Sequence, residues 1–196
     1  MKFLLGLGLL TIAICAPSTA FAPHKTLKDS LAVSAQNKFD SIKHDKAKRG
    51  SAILLSGAEL NAWVKAELAE EAQLGIHDTK VVLGQGTFEI SAIVDFRKIA
   101  ESGGKEINAM FAKLLEGERP LKIAGTLEAT GGHATLHLTN VEISGIPLSG
   151  LVLDLVVKVV VGTLAPDAKV NEPFDLEHNM DRIEITASNA RVTIKK

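Results

Sequence analysis

The chain has no tyrosine, one tryptophan and seven phenylalanines, so aromatic residues make up only 4% of it. Proteins that hold single-stranded nucleic acid stack bases on exposed rings and follow the backbone with a basic groove. Here rings are scarce and the formal net charge is −1, which argues against a nucleic-acid partner. Cysteine is nearly missing as well. The single one, Cys15, lies in the stretch read below as a signal peptide, so the mature chain is expected to hold no disulfide and no thiolate for zinc. Recognisable catalytic motifs are also lacking. "SGGKE" (Ser102 to Glu106) does not have phosphate-loop spacing, "GQGTFE" has no third glycine, and no G-x-S-x-G occurs.

What is present begins with an export pattern. Lys2 precedes an apolar run from Phe3 to Cys15, and small residues follow. This is the layout of a secretory signal peptide, and the run is too short to cross a bilayer comfortably. Ser18-Thr19-Ala20 fits a cleavage site, so residues 1–20 are read as signal peptide, cut after Ala20, and the protein as periplasmic or secreted. Ile14 before Cys15 argues against a lipidated cysteine, because a lipobox needs a small residue there.

Residues 21–50 form a basic leader. Between His24 and Gly50 it carries seven Lys or Arg against three Asp. Leu27, Leu31, Ala35, Phe39 and Ile42 recur at helical spacing, so part of it is expected to be helical. It reads as a solvated helix or leader arm, or as a peripheral contact with anionic membrane headgroups.

Residues 51–196 read as one α+β domain without repeats or linkers. Ser56 and Glu59 form an S-x-x-E capping box, followed by the stripe Leu60, Trp63, Val64 and Leu68, with Gly75 as a C-terminal cap. The period then changes to two. Phe88, Ile90, Ala92, Val94 and Phe96 alternate with polar residues, and Gly84-Gln85-Gly86 turns the hairpin. Ile107, Met110, Phe111, Leu114 and Leu115 return to helical spacing before Pro120. A second hairpin runs from Pro120 and turns at Thr130-Gly131-Gly132-His133. In its return strand the apolar phase slips from Ala134, Leu136 and Leu138 to Val141 and Ile143, which predicts a β-bulge near Asn140 and a curved sheet. "DRIEITASNARVTIK" is a third hairpin.

Between the last two hairpins lies "LVLDLVVKVVVGTLA" (Leu151 to Ala165). As a helix it places Leu148, Leu151, Val152, Leu155, Val156, Val159 and Val160 on one face, with Asp154 and Lys158 together on another. It is shorter than a membrane span and its two charges oppose one. It is read as a helix closing the apolar side of the sheet, over a core or over a ligand.

Six histidines offer no metal site. His133 and His137 in "HATLH" sit on an expected strand, where four residues cover about 13 Å, too far to share an ion. Glu89, Asp95, Glu128, Glu142 and Glu184 fall on the polar phases, so no catalytic pair is assigned and no cofactor is expected.

The order of these elements resembles the exported bacterial relatives of the tubular lipid-binding (TULIP) superfamily, which includes the bactericidal/permeability-increasing protein. The likeness rests on "LLSGAELNAWV" with Glu59-Leu60-Asn61, on the "VEISGIPL" step and on the closing hairpin, and runs from about Ile53 to Ile194. It implies a highly curved antiparallel β-sheet of hairpins wrapped around a long amphipathic helix, with further short helices and an apolar groove for lipid. Phe88, Ile90, Val94, Phe96, Leu136, Leu138, Leu155, Val156 and Val159 are then the candidates to line the groove. The implied function is non-catalytic binding or carriage of lipid, or another apolar ligand, in the cell envelope. The chain is short for a full tubular module, so the groove is expected to be shallow or filled by its own helices. The rivals are an envelope adaptor with a self-filled groove and an envelope hydrolase using paired acids.

Overall fold

A computed structural model describes residues 27–70, 75–102, 115–164 and 170–196. Helices α1 (Leu27–Lys43) and α2 (Gly57–Glu70) flank the short strand β1 (Ala52–Ser56). The first hairpin is β2 (Ile76–Leu83) and β3 (Thr87–Asp95), and α3 (Phe96–Ser102) follows it. The second is β4 (Glu118–Thr130) and β5 (His133–Ile143), continued by β6 (Ile146–Pro147). Helix α4 (Gly150–Leu164) leads to β7 (Pro173–Asp175) and to the third hairpin, β8 (Met180–Ile185) and β9 (Asn189–Ile194). The chain is thus α+β, with one large antiparallel sheet that does not close and four helices among the described residues.

The hairpins form where the sequence alternates and a turn permits reversal. Gly131 and Gly132, at φ +63° and +82°, supply the two positive angles that a two-residue type I′ turn requires. β4 is the central strand. One of its edges pairs with β5 from Leu121 to Thr130; the other takes β3 from Glu118 to Thr126 and then meets β8 at Ala129 opposite Ile183. The sheet therefore runs β1-β9-β8-β4-β3-β2, with β1 and β2 at its ends. The register of β5 against β4 shifts between Ala124 and Gly125, where Asn140 and Leu138 are the partners, so Thr139 is the extra residue. This is the bulge that the slipped phase predicts.

Two apolar cores lie at opposite ends of the β4–β5 hairpin. The first joins Leu68, Ile76, Val94, Phe96, Ile99 and Leu115 to Leu121, Val141, Ile143 and Val156. The second joins Ala35, Phe39 and Ile42 of α1 to Leu55, Trp63, Ala129, Ala134, Met180, Val192 and Ile194. Val64 packs against both, so α2 spans the distance between them. Helix α1, read as part of a basic leader, contributes Ala35, Phe39 and Ile42 of its apolar stripe to the second core. Within it the Phe39 and Trp63 rings meet edge-on with centroids 4.7 Å apart, and Trp63 Nε1 donates to Gln36 Oε1 at 2.6 Å.

Two expectations change in place or extent. Phe96 belongs to α3 instead of extending β3, because Asp95 Oδ1 accepts from the backbone N–H groups of Arg97 and Lys98 at 3.1 and 3.3 Å and starts a helix there. In α4, Leu151 is 78% exposed, whereas Leu153, outside the expected face, packs on the first core. The helix expected around Ile107 to Leu114, the capping role of Gly75 at the end of α2, and the side chains of Val159 and Val160 involve positions outside the described residues.

Candidate functional site

Residues directly opposite one another in an antiparallel sheet share a face. On the inner face, the register aligns Ile76 with Val94 and Arg119, Val81 with Ile90 and Ile123, and Leu83 with Phe88 and Gly125. The second hairpin extends these rows with Leu121 opposite Ile143, Ile123 opposite Val141, Gly125 opposite Leu138 and Leu127 opposite Leu136. Among these aligned residues the face is apolar except at Arg119. The outer face carries charge: Lys122 Nζ meets Glu89 Oε2 at 2.9 Å, and that bond raises the lysine pKa.

The two cores cover the ends of the inner face. Between them Val81, Leu83 and Ile90 stay half-buried, as do Ile123 and Leu138 where they meet the first core and Leu127 where it meets the second. Phe88 and Leu136 are buried there, and neither belongs to either core. Gly125 makes room for this arrangement. A Cβ at that position would run into the His137 carbonyl oxygen and come within 2.7 Å of Phe88 Cζ.

The candidate residues thus divide into three groups. Phe88, Ile90 and Leu136 lie on the strip between the cores, and Leu138 lies at its border with the first core. Val94, Phe96 and Val156 are inside that core, each exposed by 1% or less, and Leu155 packs against it. Val159 lies on α4, with its side chain outside the described residues.

Helix α2 reaches the strip from the side. Asn61 Nδ2 donates to the Val81 carbonyl at 2.6 Å, and Asn61 Oδ1 accepts from the Val81 N–H at 2.7 Å. The amide takes the place of a neighbouring strand on the free edge of β2. Asn61 also donates to Gly57 O at 2.8 Å within its own helix.

Glu59 secures the start of the same helix. Its backbone N–H donates to Ser56 Oγ at 3.2 Å and its Oε2 accepts from the Ser56 N–H at 2.8 Å, completing the capping box. Oε1 accepts from Lys38 Nζ at 2.6 Å and from Ser34 Oγ at 2.7 Å, both on α1. Burial pushes this carboxyl up, but Lys38, Ser56 and Ser34 together outweigh it and hold its pKa at about 2. Glu59 is a structural tie between helices.

Two buried side-chain polar atoms among the described residues have no hydrogen-bond partner, Thr79 Oγ1 and Arg119 Nε. Thr79 lies in the β2 bulge between His77 and Lys80, where Ala92 stands opposite. Neither residue stands out in the sequence. The second hairpin reads from Pro120, whereas β4 begins at Glu118 and so includes Arg119.

The polar clusters sit elsewhere. His77 contacts Asp78 at 3.1 Å and Glu118 at 3.4 Å, and these carboxylates, Asp78 first, raise its pKa. His133 pairs with Asp175 at 2.8 Å, while His137 meets Asn171 at 3.2 Å, so the two histidines of "HATLH" have separate partners. No group of three or more His, Cys, Asp or Glu suited to a metal ion occurs among the described residues.

No family model matches the chain, and neither does any curated protein or solved structure. Fold and site together define an α+β protein with an open antiparallel sheet and an apolar inner face.

Proposed function

We propose that this is an exported, non-catalytic protein of the cell envelope that binds or carries a lipid against the inner face of its sheet. The observation that carries the reading is the half-buried strip between the two cores. Ile90, Ile123, Leu127 and Leu138 are apolar, neighbouring and only half-buried, although Ile123 and Leu138 touch the first core and Leu127 the second. An acyl chain laid there gains about 0.8 kcal/mol for each CH2 removed from water, without polar recognition. The export pattern of residues 1–20 and the resemblance to the TULIP superfamily point the same way. On that reading the sheet curves around α2 as a groove, and the basic leader is available for peripheral contact with anionic membrane.

A second reading has its own support. Val64 packs against both cores and Val156 is 1% exposed, so the helices already fill much of the inner face. An adaptor with a self-filled groove fits this, and its partners would be other envelope proteins.

Uptake of a fluorescent fatty-acyl probe from liposomes separates the two. The lipid reading expects saturable uptake, lost in Ile90→Asp and kept in Leu151→Asp, because Leu151 lies exposed on α4. Absence of uptake by the folded wild-type chain, or equal uptake by both variants, removes the lipid reading and leaves the adaptor.

A further inference from the structure

The inner face carries one charged residue in its aligned rows, Arg119, which has no ion pair among the described residues. Arg119 faces inward opposite Val94, which is 1% exposed, and stands two residues before Leu121, which is 6% exposed. Its Nε is buried without a hydrogen-bond partner. Arginine does not give up its proton in a protein, so this N–H remains part of a full positive charge beside an apolar core. The other charged residues of this stretch of β4, Glu118 and Lys122, face outward, and Lys122 has its partner Glu89 there.

The second unpartnered atom belongs to the same region. Alternation from Lys80, which is opposite Ser91, points Thr79 inward in the row of Ala92. Ala92 and Val94 are successive inward residues of β3, so Thr79 on β2 and Arg119 on β4 flank that strand one row apart. A hydroxyl and a guanidinium N–H, both buried and both unused, thus border the apolar face on which the lipid reading depends.

We infer that Arg119, with Thr79, anchors the headgroup of a single-chain anionic lipid, a long-chain carboxylate, whose tail lies on the strip between the cores. The inference rests on the lipid reading and names its ligand class. A carboxylate presents two oxygens in a plane, which matches the paired N–H groups along one side of a guanidinium and uses the free Nε–H. Its remaining lone pairs can accept from Thr79. Its single charge equals that of Arg119, whose aligned inward neighbours Ile76, Val94 and Leu121 are all apolar. On β4, Leu121 of the first core lies between Arg119 and Ile123, so over these four residues, about 13 Å of strand, an acyl chain would run along the edge of that core. An acyl chain can cover that length, whereas a short carboxylate cannot.

The experiment is calorimetric titration of the full mature chain, freed of bound lipid, with oleate, oleyl alcohol and acetate. The expected result is binding of oleate at least tenfold tighter than the alcohol, with no measurable binding of acetate. Arg119→Met keeps the length of the stem and is expected to lose that tenfold preference while its affinity for the alcohol stays as in wild type. Arg119→Lys is expected to keep part of the preference, and Thr79→Val to weaken oleate about threefold, so the inference stays testable if Arg119→Met does not fold. Equal oleate binding by wild type and folded variants overturns the anchor and leaves the lipid reading standing. Acetate binding as tightly as oleate makes this a free-anion site and overturns the tail. Failure of both oleyl probes to bind removes the lipid reading, and the inference with it.

Discussion

Asn61 binds Val81 through both ends of its side-chain amide, donating to the carbonyl and accepting from the N–H of the same residue. A helix residue thereby serves as a neighbouring strand for β2, the end strand of the sheet. Unpaired strand edges invite association with other chains, and covering one with a helix removes the template.

Replacing Asn61 with alanine is expected to destabilise the fold by about 1–3 kcal/mol, the usual effect of leaving part-buried backbone groups unpartnered. The amide of Val81 should exchange with solvent faster than those of β4, and the variant should aggregate more readily. Hydrogen exchange at Val81 checks this directly. Unchanged protection there would mean that water or a local shift replaces the amide.

The Glu59 tie has a defined pH signature. Its carboxyl ionises at about 2 in the folded chain against an ordinary value of 4.5. A depressed folded pKa stabilises the fold fully above the unfolded value and loses that contribution as pH falls from about 4.5 towards 2. At about 1.4 kcal/mol per pH unit, up to about 3 kcal/mol is involved. Urea unfolding should show wild-type stability falling through this interval. Glu59→Gln should be less stable at neutral pH and should show a shallower decline. Parallel pH profiles for the two proteins would contradict the assignment.

Gly125→Ala is expected to destabilise by about 1–3 kcal/mol, because the new methyl group meets both backbone and ring in a packed region. The double variant with Phe88→Leu should recover part of the loss. The Phe88 ring can be trimmed, whereas the His137 carbonyl belongs to the β4–β5 ladder. Thermal unfolding of the two variants measures both effects, and full recovery would show that the carbonyl has room to move.

The three long hairpins were legible in the chain, since one covered face imposes a period of two and glycines mark the reversals. The bulge at Thr139 was legible for the same reason: an inserted residue shifts the phase, and Val141 and Ile143 record the shift. The start of α2 could be read from Ser56 and Glu59, because a capping box is a local device. The short helix α3 was not evident. Phe96 continues the alternation of β3, and only Asp95, acting as its N-cap, marks the break. The division into two cores was also hidden, because which inward residues are covered depends on where distant helices land. Leu151 and Leu153 have equal hydrophobicity, yet one is exposed and the other packed. Arg119 escaped notice because proline at 120 reads as the beginning of a strand, whereas β4 carries it in its third position. Its charge acquires meaning only when the register sets it beside Val94.

The most direct test of the lipid reading is native mass spectrometry, with organic extraction, on mature protein purified from its own host without detergent. The expected spectrum shows the chain with one lipid bound, a mass lost on extraction and identified in the extract as a long-chain carboxylate. A bare chain both as purified and after incubation with liposomes would contradict the reading and leave the inner face as a core closed by its own helices.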